Sequence, residues 1–543
     1  MTSRSFDWAV KTLRAASFGA LLTALSVGSF VAVAVLALTA FAVADGAAWS
    51  ALGERYVWSA LRFTLLQAAL SALLSVGLAI PVARTLARQS AFPGRSLVIG
   101  LLNMPLAMPA LVAVLGILAV YGRTGWLAAS LAVAGFPAGI SPYGLAGILL
   151  AHVFFNLPFA TLLLLARLDA VPIETWRLAG LLGFTAASTF RFIEWPALRP
   201  VLPGVAAIVF LVCVTSFTIV LTLGGGPAAT TLEVAIYQAL RFDFDPPRAV
   251  LLALLQMLVC MVLIVALRWF GGKELPMPGF RAISARPVPP RSAGTFADGI
   301  LIATCAVFIG LPVSAVMASG LKPEMIGLLA DAQVWRATAS SLAIAAVAAL
   351  LAVAAAWSLV VAGRSAGPAG RWSRLATNGG ALLLVVPPFV LGAGWFLLLN
   401  RFGVAFVLAP LLIVLVNALM ALPFAARILS SADAAQTREH HRLCINLGIG
   451  GWARFRMIDW PLLRRAFAFA GSLAAALSLG DLGIAALFGS QHLVTLPLLL
   501  QQRMGSYRSH DAAGLALLLA LICLALFVAA DRLTRPATRM AAP

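Results

Sequence analysis

Apolar residues along the chain fall into long, predominantly apolar blocks, and most of the charged residues are gathered into the segments between them. Crossing the hydrocarbon core of a bilayer takes roughly 20 apolar residues in a helix. Twelve blocks reach that length, at 17–44, 57–83, 96–120, 143–166, 200–222, 249–270, 298–319, 339–361, 379–399, 405–426, 466–489 and 512–530. A lipid-embedded backbone must satisfy its own hydrogen bonds, and an apolar block of this length does so as a helix. The pattern therefore predicts an all-α polytopic membrane protein with twelve transmembrane helices.

Composition agrees: 62% of the 543 residues are hydrophobic, 10% are charged, and the mean hydropathy is +1.00. A formal charge of +19 raises nucleic acid as a partner, so the placement of the basic residues matters. With the N-terminus inside and twelve crossings, 28 of the 38 Lys and Arg fall in cytoplasmic segments. That is the positive-inside bias that orients membrane proteins, and it puts both termini in the cytoplasm with no need for nucleic acid. Arg4, Lys11 and Arg14 ahead of the first block, with Ala42-Val43-Ala44 after it, resemble a signal peptide. The block is about twice the length of a signal-peptide core, so a retained first span is expected. Five scattered cysteines show neither metal spacing nor a disulfide framework.

The two ends of the chain repeat each other at a constant offset. Leu157-Pro158-Phe159-Ala160 recurs as Leu422-Pro423-Phe424-Ala425, Gly183 as Gly448, Ile193 as Ile458, and Trp195-Pro196 as Trp460-Pro461. Two six-span halves, 1–270 and 298–543, follow from the duplication. The segment 271–297 between them, with Pro276, Pro278, Pro287, Pro289 and Pro290 among arginines, reads as a semi-rigid cytoplasmic linker. An even number of spans per half makes the repeat parallel. Pro81, Pro105, Pro109, Pro158, Pro387, Pro388 and Pro423 lie within blocks, where proline is expected to kink a helix and free carbonyls.

Two cytoplasmic loops, 167–199 and 427–465, share the spacing Gly, nine residues, Ile, two residues, Pro. An amphipathic segment running to a helix-ending Gly, then a short helix running to a Pro that opens the next span, describes an elbow on the membrane surface. A basic connector held by anionic lipid would carry similar arginines, but it has no need of the same spacing twice. The pattern resembles the EAA loop of ABC importer permeases of the type I, MetI-like fold. That resemblance implies that Arg177, Ala179, Gly183, Ile193 and Pro196, with Arg442, Gly448, Ile458 and Pro461, dock a dimer of ATP-binding subunits. The Glu-Ala-Ala itself is replaced by Arg177-Leu178-Ala179 and Arg442-Leu443-Cys444. Lys11, Lys273 and Lys322 are the only lysines, and none follows a phosphate-binding loop. ATP and Mg are thus expected at the partner, with no cofactor bound by this chain.

Residues Ser141–Ala160, Leu223–Leu240, Phe242–Met257 and Gly505–Ala513 resemble the ThiP family of thiamine-transport permeases. The resemblance implies a periplasmic thiamine-binding protein, a ThiQ-type ATPase and import of thiamine and its phosphate esters across the bacterial inner membrane. A ferric-ion permease, which also fuses two halves, is the alternative within the superfamily. An ion-driven secondary transporter is the alternative outside it, and few ionisable residues lie deep in the spans to support one. Asp481 is one of those few, and a charge there is costly unless paired or hydrated. It reads either as a carboxylate facing a cationic substrate or as one satisfied by neighbouring backbone. Ser216 is its counterpart in the first half. His152 and Asn156 share a helix face, and Asn417 occupies the place of His152 in the second half. These line a path or hold the bundle together. Glu233, Asp243, Asp245, Arg503, Arg508 and Asp511 fall in external loops, as contacts for a binding protein or as ordinary solvated charges.

Overall fold

The structure, a computed structural model, describes residues 3–45, 47–89, 92–135, 141–270, 295–322, 324–365, 386–436, 438–447, 449–490, 493–506 and 508–534. Most of the linker, 271–294, lies outside them. The regular structure among the described residues is all helical, with no strand. Among the described residues ten helices are long and apolar enough to cross a membrane, eleven if the pair Ala186–Leu198 and Leu202–Val214, bent by 58°, is one span. Shorter apolar helices, Arg95–Ala107 and Pro388–Asn400, fall in the third and ninth expected blocks. The first part of the ninth block, up to 385, is outside the described residues.

Three expected spans are interrupted. The third breaks at Met108-Pro109, the fifth at Thr215-Ser216 and the eleventh between Leu479 and Gly483. Met108 is extended, with ψ at 130°, as a residue preceding proline prefers. Pro81, Pro105, Pro158 and Pro423 lie inside helices, as expected. Pro109 and Pro387 do not kink helices: each is an N-cap with φ of −57°, and Pro388 is in a first turn. Proline suits a helix start because its missing N–H would be unpaired there in any case.

The chain divides into two compact units. One comprises Met1–Trp49, Ala239–Met257 and Ile326–Pro543; the other comprises Ser50–Gln238 and Leu258–Met325. Their boundaries differ from those of the sequence halves: each half contributes its first span to the unit built mainly from the other, and Ala239–Met257 of the first half also falls in the first unit. In the first unit the helix Ser3–Asp45 packs on Ala332–Ser365 and Pro388–Asn400. Phe30 stacks on Trp395 at 4.9 Å, and the Trp395 Nε1–H donates to Phe30 O at 3.2 Å. Ala356, Val360, Leu422, Leu429, Leu463 and Phe467 form a core between the Ala332–Ser365, Ala409–Gln436 and Trp460–Leu479 helices. In the second unit Arg55–Arg88 packs on Leu145–Asp169 and Leu202–Val214, while Thr295–Gly320 packs on Ala110–Tyr121.

Glycine permits both of the exchanged packings. A Cβ on Gly394 would come within 2.5 Å of Ala34 O, and one on Gly116 would collide with Pro312 O. Gly394 stands as far along the chain from Gly116 as Pro312 does from Ala34, so the close approach is itself duplicated. The second spans correspond at an offset only one position shorter, which pairs Trp58 with Trp335 and Thr64 with Ser341. Trp58 Nε1 donates to Leu52 O and Trp335 Nε1 to Leu329 O, both at 2.7 Å. Thr64 Oγ1 accepts from Leu232 N at 2.9 Å, and Ser341 Oγ accepts from Leu496 N at 2.8 Å. The duplication therefore extends through the first three spans of each half. Its offset shortens after the third span, where the first copy inserts the helix Trp126–Val133.

Candidate functional site

The first elbow is built around a left-handed turn. The helix Ile173–Leu181 ends at Gly183, whose φ is +70°. Phe184 N donates to Ala179 O at 3.0 Å and Gly183 N to Gly180 O at 3.2 Å. This pair of bonds closes a helix end on a residue with positive φ, where glycine avoids the Cβ penalty. The chain then reverses. Thr185 Oγ1 accepts from Ser188 N at 3.3 Å to start the helix Ala186–Thr189, and a π turn, Phe190–Glu194, leads into Trp195-Pro196.

The reversal explains the shared spacing from Gly to Ile. Ala179 and Ile193 meet, and with Trp176 they form a small buried cluster flanked by Val171 and Phe184. Arg177 and Pro196 stay exposed. So do Leu178, Leu181, Leu182 and Phe192, the last 61% accessible. These exposed apolar side chains flank the buried cluster on both arms of the elbow.

The second elbow repeats the design. Cys444, in the place of Ala179, is buried, and Ile449 N donates to Cys444 O at 2.9 Å, matching the Phe184 bond. Ile458 is half-buried and Pro461 exposed after a second π turn, Phe455–Asp459. Gly448 and the Arg442 side chain lie outside the described residues. Leu443, Leu447, Met457 and Trp460 are exposed, in the places of Leu178, Leu182, Phe192 and Trp195. Charge draws attention to the arginines of these loops in the sequence and away from the apolar side chains. The recurrence of those side chains at the offset of the Gly, Ile and Pro motif is the signal that marks them.

The polar residues of the spans also meet. In the second unit His152 Nδ1 lies 2.9 Å from Ser71 Oγ, and its Nε2 lies 2.9 Å from Ser216 Oγ. Asn156 Nδ2 donates to Cys213 Sγ at 3.2 Å, and Gln67 Nε2 to Cys213 O at 2.8 Å. His152, Asn156 and Ser216 thus belong to one network across three helices. In the first unit Asn417 Nδ2 donates to Ser478 Oγ at 2.9 Å, and Ser478 is the counterpart of Cys213. Asp481 sits in the break of its span, within reach of Asn417, and its Oδ1 accepts from Ile484 N at 3.4 Å. The carboxylate thus lies buried in the break, facing the first backbone N–H groups of the helix Gly483–Phe488 and the Asn417 amide.

The loop charges singled out in the sequence are mostly paired. Arg503 bridges Asp331 at 2.8 Å and Asp511 at 3.1 Å, and Arg508 lies 3.7 Å from Asp511. Arg248 lies 3.6 Å from Asp243 and 3.4 Å from Asp245. Glu233 is buried within the helix Leu232–Arg241, so it is no solvated loop charge. Among the described residues no cluster of His, Cys, Asp and Glu could hold a metal ion.

Residues 358–536 match the family described as binding-protein-dependent transport system inner membrane component. The chain is 50% identical over 499 residues to the thiamine transport system permease protein ThiP of Brucella abortus, covering 92% of each chain. It is 43% identical to the ThiP of Escherichia coli, over 88% of this chain and 90% of that one. Identity to the ThiP of Salmonella typhimurium is 42%, over 90% and 92% respectively.

Proposed function

Because the chain belongs to the ThiP family of thiamine transport system permease proteins, we propose that it moves thiamine and its phosphate esters across the inner membrane, as the permease of an ATP-driven importer. The observation that carries the substrate is identity of 42–50% along about nine-tenths of the chain to permeases named for thiamine. The ferric-ion and ion-driven alternatives have no comparable support.

A binding-protein-dependent system supplies the partners: ATP-binding subunits and a periplasmic binding protein. In the finer reading the ATPase is a ThiQ-like dimer and the binding protein is specific for thiamine. Each elbow presents its exposed apolar side chains, Leu178, Leu182 and Phe192 or Leu443, Leu447 and Met457, to a groove on one ATPase protomer. Arg177 and Arg442, at the Glu positions of the EAA pattern, add charge around that contact. Gly183 ends the first docking helix, Gly448 is the matching position of the second motif, and Ala179, Ile193, Ile458, Pro196 and Pro461 set the geometry of the return. This chain binds no nucleotide or cofactor of its own, and both its termini are cytoplasmic.

The transport cycle is one of alternating access. Closure of the ATPase dimer draws the elbows together, and the spans behind them reorient. Asp481 is the residue best suited to meet the cation of a thiazolium ring, because it is a carboxylate set in the break of its span. The His152–Ser216 and Asn417–Ser478 contacts hold the corresponding spans together near the same level of each repeat.

Uptake of labelled thiamine in cells lacking this gene, with ferric-ion uptake measured in parallel, tests the substrate. Loss of thiamine uptake alone is expected. Unchanged thiamine uptake in a strain with no second thiamine importer contradicts the reading.

A further inference from the structure

Behind each elbow lies a buried ion cluster whose acidic member is the last residue of the π turn. In the first copy Arg84, near the end of the Arg55–Arg88 helix, donates through Nε to Glu194 Oε2 at 2.6 Å. The Glu194 side chain is 1% exposed, and the Arg84 guanidinium lies 4.0 Å from the Phe190 ring centroid. In the second copy Arg364, at the end of Ala332–Ser365, reaches Asp459 with Nη1 at 3.0 Å and Nη2 at 3.1 Å. Its Nε donates to both oxygens of Asp433, at 3.1 and 3.0 Å. Asp459 is 3% exposed and also lies 3.5 Å from Arg454 Nε.

Glu194 and Asp459 are equivalent positions of the repeat, and each directly precedes the Trp-Pro that opens the next helical segment. Both are placed by π turns closed by Trp195 N to Phe190 O and Trp460 N to Phe455 O. A single π turn shifts the side chains that follow it around the helix axis, and such turns often occur at functional sites. Here the shift aims a carboxylate from the elbow's exit at an arginine on the second span of the same repeat. Well-packed apolar side chains would hold two helices together at least as firmly as a buried ion pair. What the ion pair adds is direction and a fixed attachment point.

We propose that Arg84–Glu194 and Arg364–Asp459 are the linkages through which movement of each elbow is delivered to the second span of its repeat. This rests on the reading that the elbows receive the ATPase. The two linkages differ. Arg364 also grips Asp433, on the helix that enters the elbow, so one guanidinium ties entry, exit and second span together. In the first copy the entry and exit are joined separately, by Arg167 Nε donating to Ala197 O at 3.2 Å. The second elbow is therefore gripped as a single body and the first by two independent contacts. Glu194, Asp459, Arg84 and Arg364 are positioning residues, since they act through the spans they hold.

The test uses the complete importer in proteoliposomes, with its ATPase and binding protein, and the double variant Glu194→Gln/Asp459→Asn. These substitutions are chosen because Arg84 is 20% exposed and Arg364 keeps Asp433, so neither arginine is left buried without a partner. Three quantities are read: ATPase retained on purification, ATP hydrolysed, and thiamine moved per ATP. The expected result is retained ATPase, hydrolysis close to wild type, and transport per ATP reduced at least roughly fivefold, the lower end of a usual coupling energy. The charge-swapped pair Arg84→Glu/Glu194→Arg, made with Asp459 intact, should recover part of the ratio lost on Glu194→Gln alone. Unchanged transport per ATP overturns the proposal. So does a loss of transport and hydrolysis in equal proportion, which marks a static brace. Loss of the ATPase from the variant alone also overturns it, because the residues would then belong to the docking surface. If the double variant does not insert, the swapped pair decides: insertion with no gain in the ratio over Glu194→Gln overturns the linkage. A wild-type permease that retains no ATPase refutes the docking reading instead.

Discussion

Replacing Gly183 with valine places a β-branched residue where the backbone is left-handed, with φ of +70°. A Cβ built there meets no atom within 4 Å, so the penalty is one of backbone conformation and not of collision. For an L-residue that penalty is roughly 1–2 kcal/mol. It acts on the closure formed by Phe184 N to Ala179 O and Gly183 N to Gly180 O. An energy of this size changes the ratio of closed to unwound elbow by about 5- to 30-fold. Since the strain is local and exposed, insertion should be normal. Transport per ATP should fall, because the return segment carrying Ile193 no longer has a fixed position over Ala179. Asparagine tolerates the left-handed region better than other L-residues, so Gly183→Asn should retain most of the coupling and Gly183→Ala should fall between the two. Paired measurements of ATP hydrolysis and thiamine transport in proteoliposomes give the ratio. Normal coupling in the valine variant refutes the role of the turn, and equal damage from asparagine and valine refutes the left-handed backbone as its cause.

Asp481→Asn removes the charge but keeps an oxygen able to cap the helix Gly483–Phe488. If the carboxylate meets the thiazolium cation, half-saturation for thiamine should rise roughly 10- to 100-fold, the equivalent of one charge-assisted contact; unaltered affinity and rate return the residue to its capping role. Gly116→Leu and Gly394→Leu should each destabilise the packing of an exchanged first span by about 1–3 kcal/mol, read as lower thermal stability in detergent, because the side chain has no room beside Pro312 O or Ala34 O. Gly100→Ala, with open space around its Cβ, is the control, and equal behaviour of all three variants contradicts the close-approach argument.

Hydrophobic blocks revealed most of the helices because a long apolar segment in lipid has few structural options. Block length could not show where a span breaks. Breaks at Thr215-Ser216 and before Gly483 depend on local hydrogen bonding, such as Asp481 accepting from Ile484 N. The motif spacing identified the elbows, and Ile193 over Ala179 gives that spacing its physical reason. The exchange of first spans was out of reach for a different reason. The match that records it is Gly116 with Gly394 and Ala34 with Pro312, at a longer offset than the elbows share. The different length of the loop after the third span hides that offset.

The ion clusters were harder still to read from sequence. Glu194 and Asp459 fall at equivalent positions, but Arg84 and Arg364 do not. In the register that pairs Trp58 with Trp335, the counterpart of Arg84 is Val361. Val361 and Arg364 are separated by nearly one helical turn, so Arg84 and Arg364 project from about the same face of their spans at different heights. A long guanidinium side chain absorbs that difference, and alignment by residue number does not. The meeting point at the π turn recurs in both copies, while the residue supplying the positive charge differs in position. A duplicated gene can keep an interaction in both copies without keeping both of its partners in register.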